Sequence, residues 1–158
     1  MKLFLIQHAQ AKRKDEDPER PITETGRKET EEVARYAAEH GIIDAGKIFH
    51  SGKKRAEETA GIFASALKLE KQMAASSGLA PNDDVREWAD RLDGLEENIV
   101  LVGHLPHLGR LASFLLSGSQ TKVLVDFKNS GIVSLSRDRE KGWSLNWMFP
   151  PETILGRQ

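Results

Sequence analysis

The sequence predicts an α/β fold: a single three-layer domain with a mostly parallel central sheet and antiparallel edge strands. Three observations lead there. Two short apolar runs, residues 1–6 (MKLFLI) and 99–102 (IVLV), have the length and aliphatic content of buried strands. Between them, helix-period stretches alternate with further short apolar runs, the order of βαβ units. Towards the C-terminus the helices give out and candidate strands follow one another, which adds antiparallel pairs.

Each element has its own signal. Residues 1–6 form the first strand, and the charged stretch 12–21 (KRKDEDPERP) is too polar for core and reads as a surface loop. Thr23 is placed to cap a helix over 24–39, with Glu24 favouring its first turn. That helix buries Val33, Tyr36 and Ala37 and stops at Gly41. Residues 47–50 (KIFH) make a second strand leading to Ser51-Gly52. A second helix over 53–67 carries Ala56, Ala60, Phe63 and Leu67 on one face. No period emerges over 69–81. A short helix over 83–92, capped by Asn82 or Asp83, buries Val85, Trp88 and Leu92. The third strand, 98–102, precedes a helix over 106–116 with Pro106 in its first turn, where a missing N–H costs nothing. Strands are expected over 123–127, 132–136 and 144–148, the last two joined by a charged turn. With no repeat or linker, residues 1–158 read as one domain with an ordinary core.

Composition excludes several function classes. Lys and Arg number 23 against 24 Asp and Glu, so no global field draws the chain to nucleic acid or a membrane. The absence of cysteine rules out disulfides and thiolate metal sites, in keeping with a reducing cytoplasm. The N-terminal apolar run is too short for a signal peptide or a membrane span. Trp88, Trp143 and Trp147 lack interleaved basic residues and read as core or edge-strand aromatics. The chain is expected to be a cytoplasmic monomer with no nucleic-acid or membrane partner.

Candidate chemistry sits at the strand ends. His8 follows the first strand in Gln7-His8-Ala9, and His104 follows the third in Gly103-His104-Leu105-Pro106. Ligands of open α/β sheets collect at the carboxyl ends of the strands. One histidine there is ordinary structural material; two at equivalent ends point to a site. Gly103 permits close backbone approach, and the helix after Pro106 turns its N-terminus to the same mouth, which favours a phosphate-type anion. Arg55, in the first turn of the second helix, can reach that edge and grip phosphate oxygens bidentately. Its neighbours Lys53 and Lys54 read as a solvated turn. Arg20 closes the loop 12–21 and either folds over the mouth or lies on the surface. His104 and His107 have the i, i+3 spacing of a metal pair, but no third ligand accompanies them, so no metal is expected. His40 reads as a helix cap beside Gly41, and His50 as a packed or exposed strand residue.

With those residues in place, the chain resembles the histidine phosphatase superfamily, and within it the small SixA-type phosphohistidine phosphatases. The likeness runs from residue 1 to about residue 150. It rests on the strand ending at His8, on Arg20-Pro21-Ile22-Thr23-x-x-Gly26, and on Ser51-x-x-x-Arg55-Ala56-x-x-Thr59. Val102-Gly103-His104-Leu105-Pro106 and Asn146-Trp147-x-x-Pro150 complete it. The resemblance implies a histidine phosphatase (phosphoglycerate mutase-like) fold without a large cap insertion, and a metal-independent phosphatase that needs no cofactor. It implies that His8 is the nucleophile, His104 the second catalytic histidine and Arg55 the phosphate clamp, with Gln7, Arg20 and Ser51 near the phosphate. The phosphoryl group would pass to His8 and then to water. The implied substrate is phosphohistidine on a protein partner, a phosphotransfer domain of a bacterial signalling or sugar-uptake relay.

One departure stands out. The family usually reads Arg-His-Gly where this chain has Gln7-His8-Ala9. Glutamine removes a permanent charge and two-pronged donation, and loss of one transition-state donor costs about 10²–10³ in rate in other enzymes. Either another cation compensates, with Lys12 and Arg13 the candidates, or the protein is a degenerate phosphatase that binds phosphohistidine or phosphate without efficient turnover. Glu58 falls where the family commonly has glutamine; it and Glu57 read as exposed helix residues. Little chain is left over for a roof, so the pocket should be open and suited to a phosphorylated side chain on another protein.

Overall fold

The computed structural model describes residues 1–156. In chain order its elements are β1 (Lys2–Gln7), α1 (Glu24–Glu39), β2 (Lys47–His50), α2 (Lys54–Leu67), β3 (Met73–Ala75), α3 (Val85–Asp93), β4 (Ile99–Gly103), α4 (His107–Ser117), β5 (Ile132–Asp138), β6 (Gly142–Phe149) and α5 (Glu152–Leu155). The two apolar runs that end at histidines are neighbours at the centre of one mixed sheet of order β3-β2-β4-β1-β5-β6. β1 and β4 run parallel, with Gln7 opposite Gly103 at their carboxyl ends. β2 and β3 extend the parallel half, whereas β5 and β6 add an antiparallel edge beyond β1.

Strand alternation builds the three layers. Leu3, Leu5 and Leu101 face a core with Trp88 and Leu92 of α3 and Leu108 and Leu111 of α4. Phe4, Ile6 and Val102 face the opposite core with Val33 of α1 and Phe63 of α2. All of these are essentially buried, so both faces of β1 and β4 are covered, as their unbroken apolar runs require. No helix of the described residues is long and apolar enough to cross a membrane.

Helix α1 forms where its capping residues demand. Thr23 Oγ1 accepts from the Gly26 N–H at 3.0 Å. At the other end Ile42 N–H reaches Ala37 O (2.9 Å) and Gly41 N–H reaches Ala38 O (3.3 Å), a Schellman closure that needs the left-handed φ of +59° that Gly41 adopts. Tyr36 is half-buried instead of buried, because its ring lies at the helix edge between His40 and Phe149.

Three further expectations need correction. Residues 69–81, read as aperiodic, contain β3; three residues at a sheet edge are too few to show a period. The cap of α3 is Asp84, whose carboxylate accepts from Arg86 N–H, while Asp83 caps the preceding turn by accepting from Ala80 N–H at 2.9 Å. Residues 123–127 are not a strand. Both edges of β1 are occupied by β4 and β5, so the segment cannot pair with that central strand. It runs instead as irregular chain, with Val125 and Phe127 buried in the α3–α4 core.

Candidate active site

β1 delivers His8 and β4 delivers His104 to the same sheet edge. The parallel ladder continues one step past β1, with His8 N–H donating to Gly103 O at 3.0 Å. The two imidazole rings lie 5.1 Å apart between centroids and tilted by 51°. Arg55 enters from the first turn of α2 and is close enough that its charge lowers the pKa of both rings. Arg20 bears on His8 and on Arg55 in the same way. Four of the six site residues expected from sequence are thereby brought together.

Ser51, at the end of β2, is the fifth. Its Oγ lies 2.6 Å from His104 Nε2 and also accepts from Lys53 N–H at 3.3 Å. The hydroxyl can donate to Nε2, and when it does the ring's own proton sits on Nδ1. His50 is buried and holds the turn in place by accepting from Gly52 N–H at 3.1 Å, leaving Ser51 aimed at His104. Gln7, the sixth, stands directly before His8, and its Oε1 is buried without a protein partner.

The backbone sets the tautomer of His8. Its Nδ1 lies 2.7 Å from Ala9 O, a carbonyl that can only accept, so Nδ1 carries the proton and Nε2 keeps its lone pair. Burial is the chief cause that lowers the His8 pKa to about 4; the Ala9 carbonyl opposes it, and the charges of Arg55 and Arg20 add to it. His104 is lowered further, to about 3, by burial first and then by His8, Arg55, Lys53 and His107. Both rings are neutral at physiological pH, the form in which imidazole is a nucleophile or a neutral donor.

The loop that follows His8 is tied down at several points. Gln10 O accepts from Thr23 N–H at 2.8 Å, and Lys12 N–H pairs with Pro21 O at 2.8 Å. Gly26 packs so closely on this loop that a Cβ there would lie 2.5 Å from Gln10 O. Arg20 adopts a left-handed φ of +51° and donates from Nε to Lys12 O at 3.0 Å, which folds the loop back on itself. Thr59, buried in α2, donates to Arg55 O at 2.7 Å and accepts from Ala9 N–H at 2.9 Å, so it joins the His8 turn to the helix that carries Arg55.

Several sequence readings change here. Arg13 does not reach the site: its guanidinium pairs with Asp15 and Glu16 of its own loop. Lys12 is absent from the charges acting on either histidine; Lys53, read as simply solvated, is one of those acting on His104. Glu58 is not a free surface carboxylate, because it accepts from Ile22 N–H at 2.8 Å and pairs with Arg27. The N-terminus of α4 is less open than expected, since Leu108 N–H is taken by His104 O at 2.8 Å. Asn129 was missed altogether. Its Nδ2 donates to His8 O at 2.8 Å, a contact spanning 121 residues, while Ser130 N–H donates to Gln7 O at 2.9 Å; no local pattern reveals either. Among the described residues no group of three His, Cys, Asp or Glu side chains is placed to share a metal ion.

Compared with known proteins, residues 3–80 match the Histidine phosphatase superfamily (branch 1). The structure of the protein histidine phosphatase SixA complexed with tungstate superposes with a TM-score of 0.83 over 98% of this chain and 99% of that one, at 24% identity. This is a histidine phosphatase fold. It is shared with a phosphoserine phosphatase from Entamoeba histolytica bound to phosphoserine (TM-score 0.74, 17% identity, 97% and 98% of the two chains). It is shared too with the alpha-ribazole phosphatase from Shigella flexneri (0.75, 14%, 96% and 97%). No curated protein sequence matches the chain. The fold therefore extends through the whole described chain, beyond the N-terminal half that the superfamily matches.

Proposed function

We propose that this protein is a phosphatase that removes the phosphoryl group from a histidine side chain on a partner protein, through a phosphorylated His8. The observation that carries the reading is the charge around two neutral imidazoles. The permanently charged side chains that act on the two rings, Arg55 on both, Arg20 on His8 and Lys53 on His104, are all basic. Among the described residues no carboxylate acts on either imidazole: Glu58 is committed to Ile22 and Arg27, and Glu19 and Glu57 line the opening beside Lys53 and Arg55 without bearing on His8 or His104. An alkoxide leaving from a phosphate ester needs an acid to protonate it, whereas an imidazole leaving through a labile P–N bond does not. The likeness to the protein histidine phosphatase SixA favours the same substrate.

In this reading the substrate ring carries a proton on its other nitrogen. The lone pair on His8 Nε2 attacks phosphorus as the P–N bond breaks, and the electron pair leaves with that ring as neutral imidazole, while His8 keeps the Nδ1 proton held by Ala9 O. Water then attacks the phosphoryl group on His8, yielding inorganic phosphate and restoring the neutral ring. The Arg55 guanidinium and the His104 Nδ1–H, each with a buried nitrogen lacking a protein partner, donate to the equatorial oxygens, where charge accumulates. Ser51 is a positioning residue, since it acts through the tautomer of His104. Arg20 and Lys53 supply the positive field that Gln7 does not.

The test is release of phosphate from a histidine-phosphorylated phosphotransfer domain, with phosphoserine and sugar phosphates as competitors. Turnover of the phosphohistidine substrate that disappears in His8→Ala is the expected result. Wild-type release no faster than that of the variant would defeat the proposal. A second reading, a degenerate phosphatase that only binds phosphorylated partners, rests on Gln7: its buried acceptor oxygen stands where a permanent cation is usual. That reading expects vanadate binding with negligible turnover and at least a tenfold gain in Gln7→Arg; a loss in that variant rules it out.

A further inference from the structure

Of the five exposed large apolar side chains among the described residues, three lie on the two segments that flank α4: Leu105 (42% exposed) before it, Val123 (85%) and Leu124 (47%) after it. Leu105 and Val123 line a groove of about 640 Å³ between the start of α4 and the irregular segment that follows it. Leu105 is the residue after His104, so the groove opens one residue, about 3.8 Å of chain, from the catalytic edge. The segment is anchored by Val125 and Phe127, buried below it, and by Ser113 Oγ of α4 donating to Lys122 O at 2.5 Å. Val123 and Leu124 are therefore presented on a fixed ledge, and exposed apolar groups so gathered mark a contact surface.

The charges on the rim are unbalanced. Asp126 pairs with Lys128 at 2.8 Å, while no described acid pairs with Arg110 or Lys122, which line the same groove. A partner that fits this surface offers an apolar side chain flanked by carboxylates. We propose that the groove docks the substrate protein, seating an acidic, leucine-type segment next to its phosphorylated histidine. This rests on the phosphatase reading above and deepens it: recognition of the partner is carried by residues 105–126, apart from the groups that act on phosphorus. The preorganised ledge lowers the ordering cost of docking, and the uncompensated cations steer an acidic partner toward the site.

The experiment compares three probes on wild type, Val123→Glu and Lys122→Glu: phosphoimidazole, a phosphohistidine peptide with leucine and glutamates, and the same peptide with lysines for glutamates. Wild type should process the acidic peptide about tenfold more efficiently than the basic one. Lys122→Glu should erase that preference, and Val123→Glu should lower kcat/KM for the acidic peptide about five- to tenfold. Phosphoimidazole turnover should stay within about twofold in both variants, since neither residue faces the phosphoryl group. Equal rates on the two peptides in wild type overturn docking while leaving the phosphatase reading intact. Loss of phosphoimidazole turnover in Val123→Glu to the same degree as peptide turnover also overturns it, because the residue then acts through the chemistry. A wild-type dimer that Val123→Glu dissociates assigns the face to a second copy and overturns it as well. Failure of wild type to hydrolyse phosphoimidazole or either peptide defeats both proposals together.

Discussion

The ends of β1 and β4 present the same residue type at the same sheet edge, yet they hold it by different means. His8 is fixed through the main chain: Nδ1 on Ala9 O, its own carbonyl on Asn129, its amide in the ladder with Gly103. His104 is fixed through a side chain, the Ser51 hydroxyl, whose own angle depends on the buried His50 behind it. A main-chain acceptor cannot be lost to mutation and leaves one tautomer. A hydroxyl can give or take a proton, so the tautomer of His104 is adjustable. His8 is thus held in one state, while the ring beside it can exchange a proton with its support.

The largest effect expected from that difference is on the covalent step. His8→Ala should abolish both turnover and the acid-labile, base-stable phosphoenzyme trapped by rapid quench. His104→Ala should slow turnover about 10²–10³-fold, the usual cost of one transition-state donor, while still allowing His8 to be labelled. If His104→Ala prevents labelling and His8→Ala does not, the two roles are reversed.

Smaller effects test the supports. Ser51→Ala should reduce turnover up to about tenfold, as one oriented hydrogen bond is lost, and Ser51→Thr should restore most of it. Nuclear magnetic resonance titration of the ring protons checks the charges directly. His8 should remain neutral as pH falls through 6.5 and titrate near 4, because burial and the neighbouring guanidiniums disfavour its cation. His104 should titrate near 3. Between about 6.5 and these values the unfolded chain binds more protons than the native one, so stability is complete above that window and falls as pH falls through it. Alanine at either position should flatten that slope. A ring titrating at 6.5 removes the argument from burial.

The sequence was most readable where one element sufficed. The apolar runs that end at His8 and His104, the cap at Thr23 and the stop at Gly41 are each local, and each was placed within a residue or two. Motif order also brought Arg55 and Ser51 to the correct edge. Contacts that join distant segments were not readable. Asn129 lies in a polar stretch with no periodicity, and its bond to His8 exists only because β5 returns beside β1. Residues 123–127 (VLVDF) have the apolar content of a strand, but whether a strand forms depends on an available partner, and both edges of β1 are taken. Glu58 and Arg13 carry charges whose partners are set by loop geometry, so composition alone assigned one to solvent and the other to the site.

The smallest expected change in chemistry comes with a clear change in stability, at Thr59. Its hydroxyl is buried and serves the His8 side alone, accepting from Ala9 N–H and donating to Arg55 O, with no contact to His104. Thr59→Val keeps the shape but leaves the buried Ala9 N–H without its acceptor. The expected cost is about 1–3 kcal/mol, read as a lower midpoint of urea unfolding at unchanged m-value. Since Ala9 also supplies the carbonyl that fixes His8, a loosened turn should lower turnover a few-fold and move the His8 titration while that of His104 stays in place. If both rings shift together, the two supports are coupled through α2, and the division between a main-chain-held and a side-chain-held histidine does not stand.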